Sequence, residues 1–173
     1  MRGRLPCPRR WRRWHSNGGG TVTRRVSSGA VWEQVVGYSR AVAAGDYIFV
    51  SGCTSIAGAD FVHPGDAYAQ TKQAIANVRA ALEQLGAGLA DVVRTRVYVT
   101  DIARWEEHGR AHAEAFAGIM PATSMVQISG LVDPRMLVEV EAIAYKPGIG
   151  GSAPAAGADV PAAAGGTAPG EAP

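Results

Sequence analysis

Two cysteines in 173 residues, Cys7 and Cys53, leave nothing from which a disulfide framework could be built. A reducing compartment, the cytoplasm, is the expected setting. Long apolar runs are also missing. No stretch reaches the ~18 to 20 residues that a spanning helix requires, which argues against a membrane partner. Histidine is scarce at four. The one suggestive pair, His108 and His112, lacks the HExxH pattern and a third ligand, so no metal is assigned.

Acidic residues are absent from residues 1–21, which hold six of the 17 basic side chains. Residues 147–173 are almost wholly Pro, Ala, Gly, Ser and Thr, with Asp159 and Glu171 the exceptions among the 15 acidic residues. Neither end can build a core. Between them, residues 22–146 carry eleven basic and thirteen acidic side chains, a net charge near −2. The formal charge of +2 therefore comes from the ends, and the domain's own balance argues against nucleic acid as a partner. The segment 1–21 is read as a basic low-complexity leader from an over-extended start of translation. The alternative is an arginine-rich arm. Residues 147–173 read as a disordered tail, leaving 22–146 as one domain.

Within that domain, "SRAVAAGDYIFVSG" predicts strands over 39–43 and 47–51 joined at Ala44, Gly45 and Asp46, with a shorter strand near 24–27. Asp66 can cap a helix whose apolar stripe runs Tyr68, Thr71, Ile75, Val78, Leu82, Leu85 and stops at Gly86. "DVVRTRVYVT" alternates as a strand, with Val93, Thr95, Val97 and Val99 on one side. Asp101 opens a second helix with Trp105, Gly109, His112 and Phe116 along one face. Two more strands are expected at 123–128 and 136–145. Two helices cover only one face of such a sheet, so the class is α+β, and the bare face points to a homo-oligomer.

The last strand, "VEVEAIAY" at 138–145, sets Glu139 and Glu141 among apolar residues. A strand covered on both faces does not keep an unpaired charge. Glu141, with Ile143 and Tyr145 beyond it on the same face, calls for a role, while Glu139 reads as structural.

Several blocks in order carry a resemblance: "GYSRAV" (37–42), "IFVSG" (48–52), "QTKQAIANV" (70–78), "DVVRTRVYVTD" (91–101), "PATS" (121–124) and "VEVEAIA" (138–144). Over about residues 24–146 the chain resembles the RidA/YjgF family of enamine/imine deaminases. The resemblance implies a chorismate-mutase-like fold, two helices on one face of a mixed sheet, and a homotrimer with a central barrel and clefts between subunits. It implies hydrolysis of reactive imines or enamines without a cofactor. Carried over position by position, it implies Tyr38, Ser51 and Gly52 as substrate-binding and Glu141 as the catalytic carboxylate that polarises water. It also marks three departures. Thr123 stands where active deaminases place an arginine that pairs with the substrate carboxylate, Arg110 replaces a helix asparagine, and Cys53 replaces a glutamine.

Alternatives remain open at each position. Glu141 is either the cleft carboxylate or an ion-pair partner of Arg94 or Arg96. Tyr38 is a ligand contact or a packed turn residue, Cys53 a small buried residue rather than a nucleophile. Arg110 is either a solvated helix residue or a guanidinium that compensates for Thr123. Arg94 and Arg96 are expected along a sheet or subunit interface, with no chemistry assigned. Two functions survive: a cofactor-independent hydrolase of labile C–N compounds, or a non-catalytic trimer that binds a small metabolite or docks to a protein through the same cleft.

Overall fold

A computed structural model describes residues 23–150, so the leader and nearly all of the tail lie outside the described residues. In chain order the elements are β1 (Thr23–Val26), α1 (Val31–Val36), β2 (Ala41–Ala44), β3 (Tyr47–Cys53), β4 (Ile56–Ala57), β5 (Asp60–Phe61), α2 (Ala67–Gln84), β6 (Val92–Val99), α3 (Trp105–Ala115), β7 (Ala122–Gln127) and β8 (Val138–Tyr145). Six strands form one mixed sheet in the order β1-β2-β3-β8-β6-β7, and β4 with β5 forms a small hairpin. Only the β6–β7 pair in the main sheet is parallel, as expected when α3 provides the crossover between them.

Helix α2 begins where its sequence says it should, with the Asp66 side chain accepting from the Ala69 amide at 2.9 Å. Its buried face, including Thr71, Ile75, Val78 and Leu82, packs on the sheet against Val138, Val140, Ala142 and Ala144 of β8. Gln70, fully buried on the same helix, donates to the carbonyls of His63 and Arg135 and accepts from the Leu137 amide. One amide side chain thus fixes the entry to β8 with all its polar groups satisfied.

Two periodicity readings fail for local reasons. The register of β6 against β8 shifts between Val92 and Arg94, so Val92 is buried and Val93 is 45% exposed, while Thr95, Val97 and Val99 face the helices as expected. On α3 the buried positions are His108 and Ala111, and Trp105 at 56% exposure lies outside the core. A 3₁₀ turn at Ile102–Arg104, opened by Asp101 accepting from the Ala103 amide, precedes the helix, and Phe116 just beyond its end is the member of the expected face that is buried. The short α1 and the β4–β5 hairpin carry too little pattern to be read from sequence.

Helices α2 and α3 cover one face of the sheet. The opposite face exposes Tyr47, Phe49 and Tyr145, with Tyr47 and Tyr145 rings 5.1 Å apart across the β3–β8 pair. Near the sheet edge, Glu33 of α1 is 6% exposed and accepts from the Ser28 amide at 3.0 Å, from Ser28 Oγ at 2.6 Å and from Ser27 Oγ. Arg40 lies 3.6 Å from the same carboxylate. Burial pushes the Glu33 pKa up, but these donors and Arg40 outweigh it and hold the carboxyl below its ordinary value.

Removing one partner of a buried charge pair typically costs about 3 to 5 kcal/mol. Glu33→Ala is therefore expected to destabilise the protein by about 3 kcal/mol in urea denaturation. With its folded-state pKa depressed, the carboxylate contributes fully above its ordinary value of 4.5 and less as pH falls through the folded value. The gap between wild type and variant should narrow in acid; a gap independent of pH would mean that packing, not charge, holds this corner.

Candidate functional site

Helix α1 ends at Gly37, whose left-handed backbone, φ 82°, lets the chain turn sharply and present Tyr38. Two residues on, Arg40 enters β2 with its side chain only 12% exposed. Its guanidinium donates to the Gly52 carbonyl at 2.6 Å and to Tyr38 Oη at 3.0 Å, and it reaches Cys53 Sγ at 3.5 Å. A guanidinium has donors only, so the Tyr38 oxygen accepts and its own proton stays free to be given elsewhere. Sequence reasoning passed over Arg40. The signal available was the arginine inside "GYSRAV", where a strand entering the core does not keep an unpaired cation.

Strand β3 is irregular where it meets this arginine. Its pairing with β8 shifts between Val50 and Cys53, which leaves Ser51 and Gly52 in a bulge. Ser51 Oγ donates to the Ser39 carbonyl at 2.8 Å, so the hydroxyl proton is committed to the backbone and only acceptor capacity remains. At Gly52 any Cβ would collide with the Glu139 carboxylate. Glycine here is what lets that carboxylate lie against the strand.

The two glutamates of β8 stand in different surroundings. Glu141 forms a long ion pair with Arg96 at 3.3 Å and accepts from Tyr98 Oη at 3.3 Å, cross-strand partners supplied by β6. Glu139, opposite Tyr98, has no cation in salt-bridge range among the described residues. Burial, and then the negative charge of Glu141, raises its pKa above the ordinary 4.5, against a smaller opposing pull from Arg40. A depression of about 490 Å³ opens beside both carboxylates, walled by Tyr98, Gly130, Leu131 and Val132.

Cys53 is 3% exposed and its pKa is raised by burial despite the nearby Arg40, so it stays a protonated thiol rather than a nucleophile. Arg110 lies on the helix layer, its guanidinium 4.1 Å from the Tyr68 ring centroid, on the other side of the sheet from Glu139. It does not join the cluster. Thr123, on edge strand β7, is three strands from Gly52, about 14 Å at ordinary strand spacing. Its hydroxyl bonds Thr95 Oγ1 at 2.8 Å and donates to the Pro121 carbonyl at 3.2 Å. Thr95 in turn meets His112 Nε2 at 2.9 Å, and Thr71 meets His108 Nδ1 at 2.8 Å. Burial lowers the pKa of both imidazoles, which keeps them neutral partners of threonine hydroxyls.

One chain therefore links Tyr38 through the buried Arg40 to Gly52, and Gly52 in turn lies against the Glu139 carboxylate, whose pKa is raised. The family model described as Endoribonuclease L-PSP matches residues 30–146. An uncharacterized protein of Streptomyces coelicolor is 41% identical over 125 residues, 72% of this chain and 93% of that protein. A RutC family protein of Pyrococcus abyssi is 40% identical over 111 residues, covering 63% and 86%. Among solved structures, a member of the YjgF/YER057c/UK114 family from Mycobacterium tuberculosis is 50% identical, with a TM-score of 0.66 over 71% of this chain and 98% of that one. The YjgF gene product of Escherichia coli is 27% identical, with a TM-score of 0.61 over 72% and 96%. Sequence blocks, sheet order and relatives agree, and the chain belongs to the Endoribonuclease L-PSP family, also known as the YjgF/RidA family.

Proposed function

We propose that this protein is a cofactor-independent hydrolase of small imines or enamines, with Glu139 rather than Glu141 as its base. The observation that carries the reading is the Glu139 carboxylate, part-buried against Gly52 and with its pKa raised. A base of raised pKa accepts a proton from water more readily than an ordinary surface carboxylate. Water then adds to the C=N carbon, and its proton passes through Glu139 to nitrogen. Tyr38, its oxygen already accepting from Arg40, donates toward the same nitrogen. The resulting carbinolamine collapses to the carbonyl compound and ammonia, so one imine and one water are consumed and no oxidant or metal enters the balance. An enamine reaches the same route after protonation at carbon.

The working unit in this reading is a homotrimer, supported by the exposed aromatics on the open sheet face and by the family's habit. Its clefts would lie between subunits, where β7 of another copy could bring Thr123 toward Glu139. The threonine supplies neither positive charge nor a bidentate fork, so substrates without a carboxylate fit this cleft better than amino-acid-derived imines. That same feature supports a second reading, a trimer that binds a small metabolite or docks to a protein without turnover. Among the described residues no helix is long and apolar enough to cross a membrane. The cytoplasm remains the proposed location.

Sedimentation equilibrium should return three chain masses at micromolar concentration, and a stable monomer would remove the intersubunit cleft. Ammonia release from a freshly generated uncharged imine should accelerate with added protein and fall by about two orders of magnitude or more in Glu139→Gln, in keeping with the loss of a general base. Because the unprotonated carboxylate is the active form, the rate should fall as pH drops through a pKa above 4.5. Glu141→Gln removes the like charge and should move that limb to lower pH; no acceleration with any imine would leave the binding reading in place. Finally, Thr123→Arg should raise turnover of a carboxylate-bearing imine by roughly tenfold or more through a new charge-assisted pair, with much less effect on the uncharged one.

A further inference from the structure

Thr95, His112 and Thr123 come from three elements, β6, α3 and β7, and their side chains form one unbroken line of hydrogen bonds. Thr95 and Thr123 are register partners in the parallel β6–β7 pair, so both side chains stand on the helix side of the sheet. His112 stacks against Phe116, ring centroids 4.5 Å apart, and its Nε2 meets Thr95 Oγ1 at 2.9 Å. Burial alone lowers its pKa, so near neutral pH one ring nitrogen donates and the other accepts. Thr95 is fully buried and has one proton for two neighbours, Nε2 at 2.9 Å and Thr123 Oγ1 at 2.8 Å. Two arrangements satisfy it. Either Nε2–H donates to Thr95 and Thr95 to Thr123, or the line runs the other way and ends on an unprotonated Nε2. Thr123 Oγ1 also lies 3.2 Å from the Pro121 carbonyl. That carbonyl only accepts, so the first arrangement is the one in which a proton stands between the two oxygens.

We propose that His112 is a positioning residue that, through Thr95, holds Thr123 as a hydrogen-bond donor for a neutral carbonyl group on the substrate. In this arrangement Thr95 occupies a Thr123 lone pair from the core side, and the Thr123 proton is left for an acceptor outside it. At 3.2 Å its bond to Pro121 is longer than the ~2.7–2.8 Å usual between oxygens, so a better-placed acceptor displaces it. One neutral donor matches one carbonyl oxygen. It does not balance the charge of a carboxylate, and a donor group on the substrate would meet a proton instead of a lone pair. The class selected is an imine that carries an amide or ester carbonyl in place of the carboxylate, a group that stays intact while water adds to the C=N carbon. This substrate class rests on the hydrolase reading; the direction of the line rests on its geometry alone. His108 supplies a contrast. Its Nδ1 meets Thr71 Oγ1, which bonds the Ala67 carbonyl at 2.8 Å, so that pair closes within the helix layer.

The test uses the full chain labelled with ¹⁵N-histidine, in which two-bond N–H correlation NMR reads the tautomer of each imidazole and His112→Gln assigns the signal. His112 should carry its proton on Nε2. Thr95→Val, which removes the acceptor, should shift that nitrogen and leave His108 in place. A proton on Nδ1 of His112 in the wild type would overturn the proposal whatever the rates, and even if no variant folds. The second readout is kcat/KM for the imine of pyruvamide relative to that for the imine of acetone, which lacks the carbonyl. That ratio should fall about three- to tenfold in Thr123→Val, the worth of one neutral hydrogen bond. Thr95→Val should lower it by a similar factor, with no further fall in the double variant, because both changes cut one line. His112→Gln, whose amide can donate to Thr95, should keep the ratio nearer the wild-type value than His112→Leu does. A ratio unmoved by Thr123→Val while both imines are hydrolysed would overturn the substrate class. So would a Thr123→Val protein that sediments as a monomer, since another copy of the chain would then take the Thr123 proton. If neither imine is hydrolysed, the hydrolase reading fails and the carbonyl preference falls with it, while the His112 tautomer still decides the direction of the line.

Discussion

Strand β8 can lie in the sheet in only one orientation, and the rest of the domain follows from that constraint. Val138, Val140, Ala142 and Ala144 are all buried against the α2 side, so the intervening residues must stand on the opposite face. A slip of one residue would send two carboxylates into the helix–sheet core and four small apolar side chains outward. Gln70 holds the strand's entry point, and pairing with β3 and β6 on either side holds its length. With β8 fixed, Glu139 meets the bulge at Gly52, and Glu141 meets Arg96 and Tyr98.

Arg40 does for the other half of the site what that register does for the carboxylates. A cation this deeply placed is tolerated because Glu33 balances its charge and the Gly52 carbonyl, Tyr38 hydroxyl and Cys53 sulfur take its donors. The consequence is directional. Tyr38 is left with a free proton to donate, and the backbone at the β3 bulge is clamped open where Glu139 lies. The serines that cap Glu33 belong to the same network, so the stability of the α1 corner and the geometry of the site are coupled through one ion pair.

The open sheet face mixes apolar and charged groups. It carries the aromatic pair Tyr47 and Tyr145, the Arg96–Glu141 pair and the partly unpaired Arg94. A surface this mixed is neither a plain apolar interface nor an ordinary solvated face. Charged groups placed amid aromatics gain most when water is excluded and partners are complete. Thr123 follows a different logic: its hydroxyl continues a chain through Thr95 to His112, so this position links β7 through β6 to α3.

The sequence by itself determined the elements with strong periodicity and chemical punctuation. Asp66 and Gly86 bracket α2, the turn at Gly45 and Asp46 joins β2 to β3, and the alternation in "VEVEAIAY" marks a strand with carboxylates on one face, because caps, turns and period-two patterns act within a few residues. What only the tertiary structure decided is which carboxylate is desolvated. Glu139 and Glu141 are two apart on the same face, and nothing local distinguishes them. The β3 bulge and the placement of Arg96 across the ladder do, and both depend on pairings between strands more than 40 residues apart in the chain. The same holds for Arg40, whose partners Gly52 and Cys53 reach it only through the β2–β3 hairpin, and for Arg110, whose stacking on Tyr68 exists only once α2 and α3 have packed. Long-range pairing chose among side chains that local sequence had left equivalent.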